Sequence, residues 1–207
     1  VPRTVERLRF GSVLARPVVL VGALVCLLLV AANSAVETAM VAAFGSGGVT
    51  GGVLLAVYSA SSMVGGLAFA RFTEGRWAQV GWLVTVAVGL GLAALSGQPW
   101  WLAVTLGVAG LGVAPVFAAV AWQVSTTVGG DQGATEAFGW VDTGAIAGAS
   151  LGFAAAGAVI EGSAEPGGML LAAVLAGLAC VVAAVGTRAL VVCGDGPTAT
   201  DAPARRR

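Results

Sequence analysis

All ten basic side chains of this chain are arginines, and long apolar stretches divide them into three clusters: Arg3, Arg7, Arg9 and Arg16, then Arg71 and Arg76, then Arg188 with Arg205, Arg206 and Arg207. A hydrocarbon core about 30 Å thick takes about 20 mostly apolar helical residues at about 1.5 Å each. Six segments meet that demand: 18–44, 53–70, 78–95, 100–124, 137–160 and 169–192. Threading them through a bilayer brings every arginine to one side. Basic segments resist translocation and favour the anionic inner leaflet. The pattern therefore predicts an all-α multi-pass protein of the cell (inner) membrane, a bundle of six transmembrane helices with both termini cytoplasmic.

At 58% hydrophobic and 10% charged residues, the composition is far from that of a soluble domain, where charge makes up about 25%. The formal net charge of zero conceals segregated arginines, and nothing in it points to nucleic acid. The outer connections 45–52, 96–99 and 161–168 carry no arginine, whereas the inner connections are 71–77 and 125–136. Residues 1–17 read as a basic cytoplasmic segment and residues 193–207, rich in Gly, Pro, Ala and Arg, as a disordered cytoplasmic tail. The run 18–32 ending in Val30-Ala31-Ala32 imitates a secretory signal peptide. It continues to Phe44 and five more spans follow, so it reads as an uncleaved first span. The first methionine is Met40, which suggests a piece of a longer protein.

Enzyme chemistry finds little footing. The absence of histidine excludes a Ser-His or His-x-x-x-His protease and any histidine-ligated haem or zinc centre. Val128-Gly129-Gly130-Asp131 lacks the first glycine of the Gly-x-Gly-Asp motif of aspartyl intramembrane proteases, and no phosphate-binding loop is present. Cys26, Cys180 and Cys193 have no disulfide or metal spacing. The reading is a protein that is not an enzyme and carries no cofactor or metal.

Polar residues are distributed unevenly. Span one carries Asn33, Ser34, Glu37 and Thr38; span two carries Tyr58, Ser59, Ser61 and Ser62; span four carries Thr105, Trp122 and Gln123; span five carries Asp142, Thr143 and Ser150. Spans three and six read as bland, with little beyond Thr85 and Cys180. Polar groups are costly against lipid, so the polar spans should face protein or a watery cavity. The order polar, polar, bland recurs and suggests two three-helix repeats, with a faint echo of Gly66-Leu67-Ala68-Phe69-Ala70 in Gly152-Phe153-Ala154.

The run Asn33-Ser34-Ala35-Val36-Glu37-Thr38-Ala39-Met40, followed by Gly51-Gly52-Val53-Leu54-Leu55-Ala56-Val57-Tyr58-Ser59 and Val64-Gly65-Gly66, resembles the seventh and eighth spans of bacterial major facilitator superfamily transporters. Gly110-Leu111-Gly112-Val113-Ala114-Pro115-Val116 resembles the tenth. Ala134-Thr135-Glu136-Ala137-Phe138-Gly139-Trp140, leading into Gly144, Gly148, Gly152 and Gly157, is similar to the eleventh span of actinobacterial efflux-type members. The resemblance covers nearly the whole chain and implies the C-terminal six-span half of a secondary transporter, its partner the missing N-terminal half and its substrate a small molecule, exported with proton coupling. The loop signature is partial. Gly66 is followed by Ala70-Arg71 and, after two extra positions, by Gly75-Arg76; the acid before the arginine is missing, although Glu74 lies near. Positive-inside anchoring explains Arg71 and Arg76 as well. The alternative is a self-assembling or non-transporting six-span protein from a truncated gene, with a second copy as partner.

Glu37 lies one turn beyond Asn33, so the two can bind a substrate group or relay a proton. Yet Glu37 is about 28 Å along the helix from Val18, near the outer interface, where a carboxylate needs no such role. Asp142 is a second coupling candidate, or an anion favoured at the start of a helix. Gln123 can orient an amphipathic substrate, with Trp122 beside it as stacking partner or interfacial anchor. Pro115 should free a backbone carbonyl for a cavity. The small stripe of Gly144, Gly148 and Gly152, with Gly65 and Gly66 in span two, suits either packing within the bundle or a sliding contact with another half or copy.

Overall fold

The computed structural model describes residues 16–45, 48–69, 77–128, 131–163 and 166–194. They form six helices and, among the described residues, no strand: α1 (Pro17–Phe44), α2 (Val49–Phe69), α3 (Ala78–Ala93), α4 (Pro99–Thr127), α5 (Asp131–Ser163) and α6 (Pro166–Gly194). Five of these are long and apolar enough to cross a membrane, and α3 is a shorter apolar helix of 16 residues. The chain is a helical multi-pass membrane protein.

Local chemistry sets the helix ends. α1, α4 and α6 begin at a proline, whose fixed φ suits the first helical turn and whose missing N–H is no loss there. α1 stops at Gly45, which takes φ 77° and turns its N–H back onto the Val41 carbonyl. Helix reaches into the stretch 125–136 expected to connect two spans: α4 runs on to Thr127 and α5 starts at Asp131. Ala134, Glu136 and Ala137 are good helix formers, and that preference extends α5 beyond its apolar stretch.

The packing follows two close parallel pairs. Gly144, Gly148 and Gly152 of α5 lie on the backbone of α1 at Ala23, Leu27 and Ala31. A Cβ at Gly144 would fall 2.6 Å from the Ala23 carbonyl oxygen, and one at Gly148 or Gly152 would overlap the α1 backbone. In the same way Gly65 of α2 meets the Leu111 carbonyl of α4, and Gly66 meets Ala114. The Leu111 carbonyl is the acceptor that the missing N–H of Pro115 leaves free inside α4, so the freed group is covered by α2 rather than left to a cavity.

Each pair has an antiparallel companion. α6 packs on α1, with Gly186 against Val21 at one end and Gly168 against Ala39 at the other. α3 packs on α4, with Gly89 against Ala109 and Gly112 of α4 against the Trp82 carbonyl. The packed units are therefore α1 with α5 and α6, and α4 with α2 and α3. α3 meets α6 across the boundary between them, while α1 touches α2 and α4 only slightly. The arc runs α2, α4, α3, α6, α1, α5, and α2 and α5 form no interface with each other.

The bland spans hold more polarity than their sequence reading allowed. Gln79 of α3 is 2% exposed and Thr187 of α6 is buried, its hydroxyl donating to the Ala183 carbonyl at 2.8 Å.

Candidate functional site

Where α1, α2 and α4 come together, the phenol of Tyr58 donates to Oδ1 of Asn33 at 2.5 Å. Tyr58 is buried and Asn33 half-buried. α4 makes room for this contact, because Gly110 presses on the backbone at Tyr58 and on the Ser61 hydroxyl, where no Cβ would fit. Ser61 returns its own hydroxyl to the Tyr58 carbonyl at 2.8 Å. In this way the α2–α4 glycine contact fixes the rotation of α2 and aims its tyrosine at α1.

Glu37, one turn beyond Asn33, is exposed on the bundle surface and within electrostatic reach of the Tyr58 hydroxyl. It lies seven residues, about 10 Å, before the end of α1 at Phe44. Asn33, Tyr58 and Glu37 thus form one polar cluster at the open side of the arc. Ser34, next to Asn33, is buried and its carbonyl accepts from the Thr38 hydroxyl at 2.8 Å, so these two satisfy each other within the helix.

Gln123 and Asp142 lie elsewhere. Nε2 of Gln123 donates to Oε1 of Gln79 at 2.8 Å, tying α4 to the start of α3. The buried Nε2 of Gln79 has no hydrogen-bond partner. Gln123 is occupied between helices, while Trp122 beside it is 39% exposed at the same end as the exposed Trp77. Asp142 is exposed on α5 and within reach of Cys26 of α1. Since α5 begins eleven residues earlier, about three turns away, the helix-start explanation of Asp142 loses its basis.

The glycine stripe faces α1 inside the bundle, so it is not a free surface for a second copy. Arg71, Gly75 and Arg76 lie outside the described residues, as do most of the basic segment and most of the tail. Sequence reasoning noted Tyr58 only as one polar residue among several and passed over Gln79. The signal for Gln79 was a lone hydrogen-bonding group in an otherwise apolar stretch, which in a membrane calls for a named partner, whereas Tyr58 stands beside Ser59, Ser61 and Ser62 and is distinguished from them only by its size.

Large hydrophobic side chains are exposed on every helix, among them Val84, Val88 and Leu92 of α3, Leu170, Val174, Leu178, Val181 and Val185 of α6, Met63 and Leu67 of α2 and Ile146 and Leu151 of α5. Exposed polar groups are set among them on α1, α2 and α5, as Glu37, Ser59, Asp142, Thr143 and Ser150, whereas on α4 and α6 the exposed Ser125, Thr126, Thr127 and Arg188 lie toward the helix ends. α1 and α4 are the more deeply buried helices, and α2 and α5 are largely exposed. No protein-family model, no curated protein and no solved structure matches the chain.

Proposed function

We propose that the chain is the C-terminal six-span half of a major-facilitator-type secondary transporter that exports a small amphipathic molecule. The observation that carries this reading is the placement of the exposed polar groups. The exposed branched aliphatics of α3 and α6 suit lipid, whereas α1, α2 and α5 set Glu37, Asp142 and hydroxyls among their exposed apolar side chains, and ionisable groups against hydrocarbon cost several kcal/mol. Those groups call for water, substrate and another protein half. In this reading α1 and α4 line the cavity, α2 and α5 flank it, and α3 and α6 meet the bilayer.

The packing lends support from a second direction. Exchanging α1 with α4, α2 with α5 and α3 with α6 preserves most of the packing, since α1 on α5 and α6 becomes α4 on α2 and α3; the contact of α5 with α6 has no counterpart of similar extent between α2 and α3. Two three-helix repeats would produce such a pattern. The matching glycines are Gly65 on Leu111 and Gly148 on Leu27, a closer correspondence than the echo of Gly66 in Gly152. All six helices cross in this proposal. α3, at about 24 Å, does so with local thinning of the bilayer or help from its flanking residues. In this reading the protein lies in the inner membrane with both termini on the cytoplasmic side, which the grouping of the arginines supports.

Glu37 is the residue we assign to proton coupling, with Asn33 and Tyr58 fixing its surroundings. The test is uptake of a fluorescent amphipathic dye by everted vesicles carrying the chain together with the six-span partner that completes it. Acidifying the lumen should drive uptake, and Glu37→Gln should abolish gradient-driven uptake while leaving dye exchange at equilibrium. Full gradient-driven uptake in Glu37→Gln would remove the assignment. Absence of any uptake above vesicles lacking the chain would overturn the transport reading.

A further inference from the structure

We infer that the six-helix bundle is itself divided into two rigid triads, α1/α5/α6 and α4/α2/α3, which shift against each other along a seam latched by the Tyr58–Asn33 hydrogen bond.

Three independent observations meet on this seam. The first is where backbones touch. Gly144, Gly148 and Gly152 lie on α1, Gly65 lies on α4, Gly110 on α2, Gly89 on α4 and Gly112 on α3, each pressed closer to the neighbouring backbone than a Cβ would allow. All of these contacts fall within a triad. Across the seam the approach is looser: Gly22 of α1 meets the side chains of Val120 and Val124 of α4, and a Cβ at Gly51 of α2 would lie against the Phe44 side chain and at ordinary contact, 3.5 Å, from the Met40 carbonyl oxygen of α1. Backbone-to-backbone contact holds two helices in one register, whereas side-chain contact tolerates small slides of one helix past another.

The second observation is a cavity of about 340 Å³ at the end of the bundle where α1 and α3 stop and α4 and α6 begin. Met40 and Phe44 of α1 and Met169 of α6 line one side, and Ala94 and Leu95, in the turn that follows α3, with Leu102 of α4 line the other. The two sides belong to different triads. The cavity is open at the end of the bundle, and such a cleft between two units gives them room to close. Flexible methionines on one wall and alanine on the other let the walls approach without a clash.

The third is the character of the ties. α3 and α6 pack on each other along one side of the seam. On the opposite side the ties are polar. Tyr58 reaches Asn33, and at the other end of α1 the Arg16 guanidinium donates to the Thr127 carbonyl at 3.4 Å. A single well-aligned hydrogen bond opposite an apolar pivot is suited to act as a latch. It is formed in this structure, together with the open cavity. Breaking it favours the arrangement in which the triads close on the cavity.

The experiment uses the full chain in nanodiscs with Cys26, Cys180 and Cys193 replaced by alanine. Spin labels at Val41→Cys and Leu92→Cys, both exposed, report across the seam; labels at Leu24→Cys and Ile146→Cys report within one triad. Pulsed electron spin measurements should give two populations for the first pair and one narrow population for the second. Tyr58→Phe should raise the shorter-distance population of the first pair about threefold, as expected for loss of one membrane hydrogen bond. Ala94→Leu, which fills the cavity, should remove that population. Neither substitution should move the second pair. A first pair as narrow as the second and indifferent to both substitutions overturns the inference, as does a second pair that responds to Tyr58→Phe as strongly as the first.

Discussion

Gly148→Val should loosen the α1–α5 contact and lower the melting temperature of the bundle. The Leu27 carbonyl sits directly against Gly148, where a Cβ would overlap it, so neither side-chain repacking nor a rotamer change can relieve the clash. The helices must move apart, and because Gly144 and Gly152 sit one turn to either side in the same tight contact, the separation spreads over three turns. A gap of about 0.5–1 Å forfeits about a quarter to a half of each dispersion contact along that length. In a membrane there is no hydrophobic force between helices to compensate. We expect a cost of about 1–3 kcal/mol, in the range of overpacked cores, which amounts to about 2–12 °C in Tm at about 2–4 °C per kcal/mol. The assay is thermal unfolding in detergent followed by a thiol-reactive dye, since Cys26 of α1 is buried in the fold and becomes reactive when α1 is released. Gly139→Val is the control: it lies in the same helix, with open space around it. Equal melting of Gly148→Val and Gly139→Val would refute the assignment of the stripe to the α1–α5 contact.

The polar contacts give further expectations. Tyr58→Phe and Asn33→Leu should each destabilise, and a double-mutant cycle in thermal or denaturant unfolding should return a coupling of about 0.6 kcal/mol, the membrane average, with a value near zero contradicting the bond. Gln123→Ala should cost more, about 1–3 kcal/mol, because it leaves the buried Gln79 amide with no partner, whereas Gln79→Leu combined with Gln123→Leu should unfold at nearly the wild-type temperature. Single cysteines at Gly97 and Gly162 should react with an impermeant maleimide added outside intact cells, and cysteines at Trp77 and Val128 only after permeabilisation; the reverse pattern would invert the arginine-based orientation.

The helices were legible in the sequence because hydrocarbon thickness sets their length and proline and glycine mark their ends, as Pro17 and Gly45 do for α1. The loop between α4 and α5 was not, because the polar residues from Ser125 to Glu136 read as a connection although several of them favour helix. Polar periodicity pointed to α1, α2, α4 and α5 as the functional helices, but it could not pair them. Sequence triplets are not the packing units: α1 leaves α2 and α3 and joins α5 and α6 instead. Asn33 and Tyr58 stand 25 residues apart on different helices, and only the rotation that Gly110 permits in α2 brings them into contact. Gln79 escaped notice because one amide at the start of an apolar run looks like a boundary residue, whereas its burial against Gln123 makes it part of the core.

Glycine placement explains why these helices choose the neighbours they do. Lipid tails are as apolar as leucine, so association rests on how closely backbones approach and on hydrogen bonds between helices. The chain holds 32 glycines, a number that by itself says only that the protein is rich in them. Gly81, Gly91, Gly139 and Gly177 meet nothing, whereas Gly65, Gly89, Gly110, Gly112, Gly144, Gly148 and Gly152 sit where a methyl group cannot, and these seven hold α2 and α3 to α4 and α5 to α1, while α6 joins α1 through Gly168 and Gly186 on side chains. The polar side chains then act at a different level. Gln79 with Gln123 reinforces a contact that the glycines already make, while Tyr58 with Asn33 joins surfaces that glycine packing leaves apart. A substitution at a triad glycine should therefore act mainly on whether the bundle holds together, and one at Tyr58 or Asn33, beyond its small unfolding cost, on which arrangement of the folded bundle is populated.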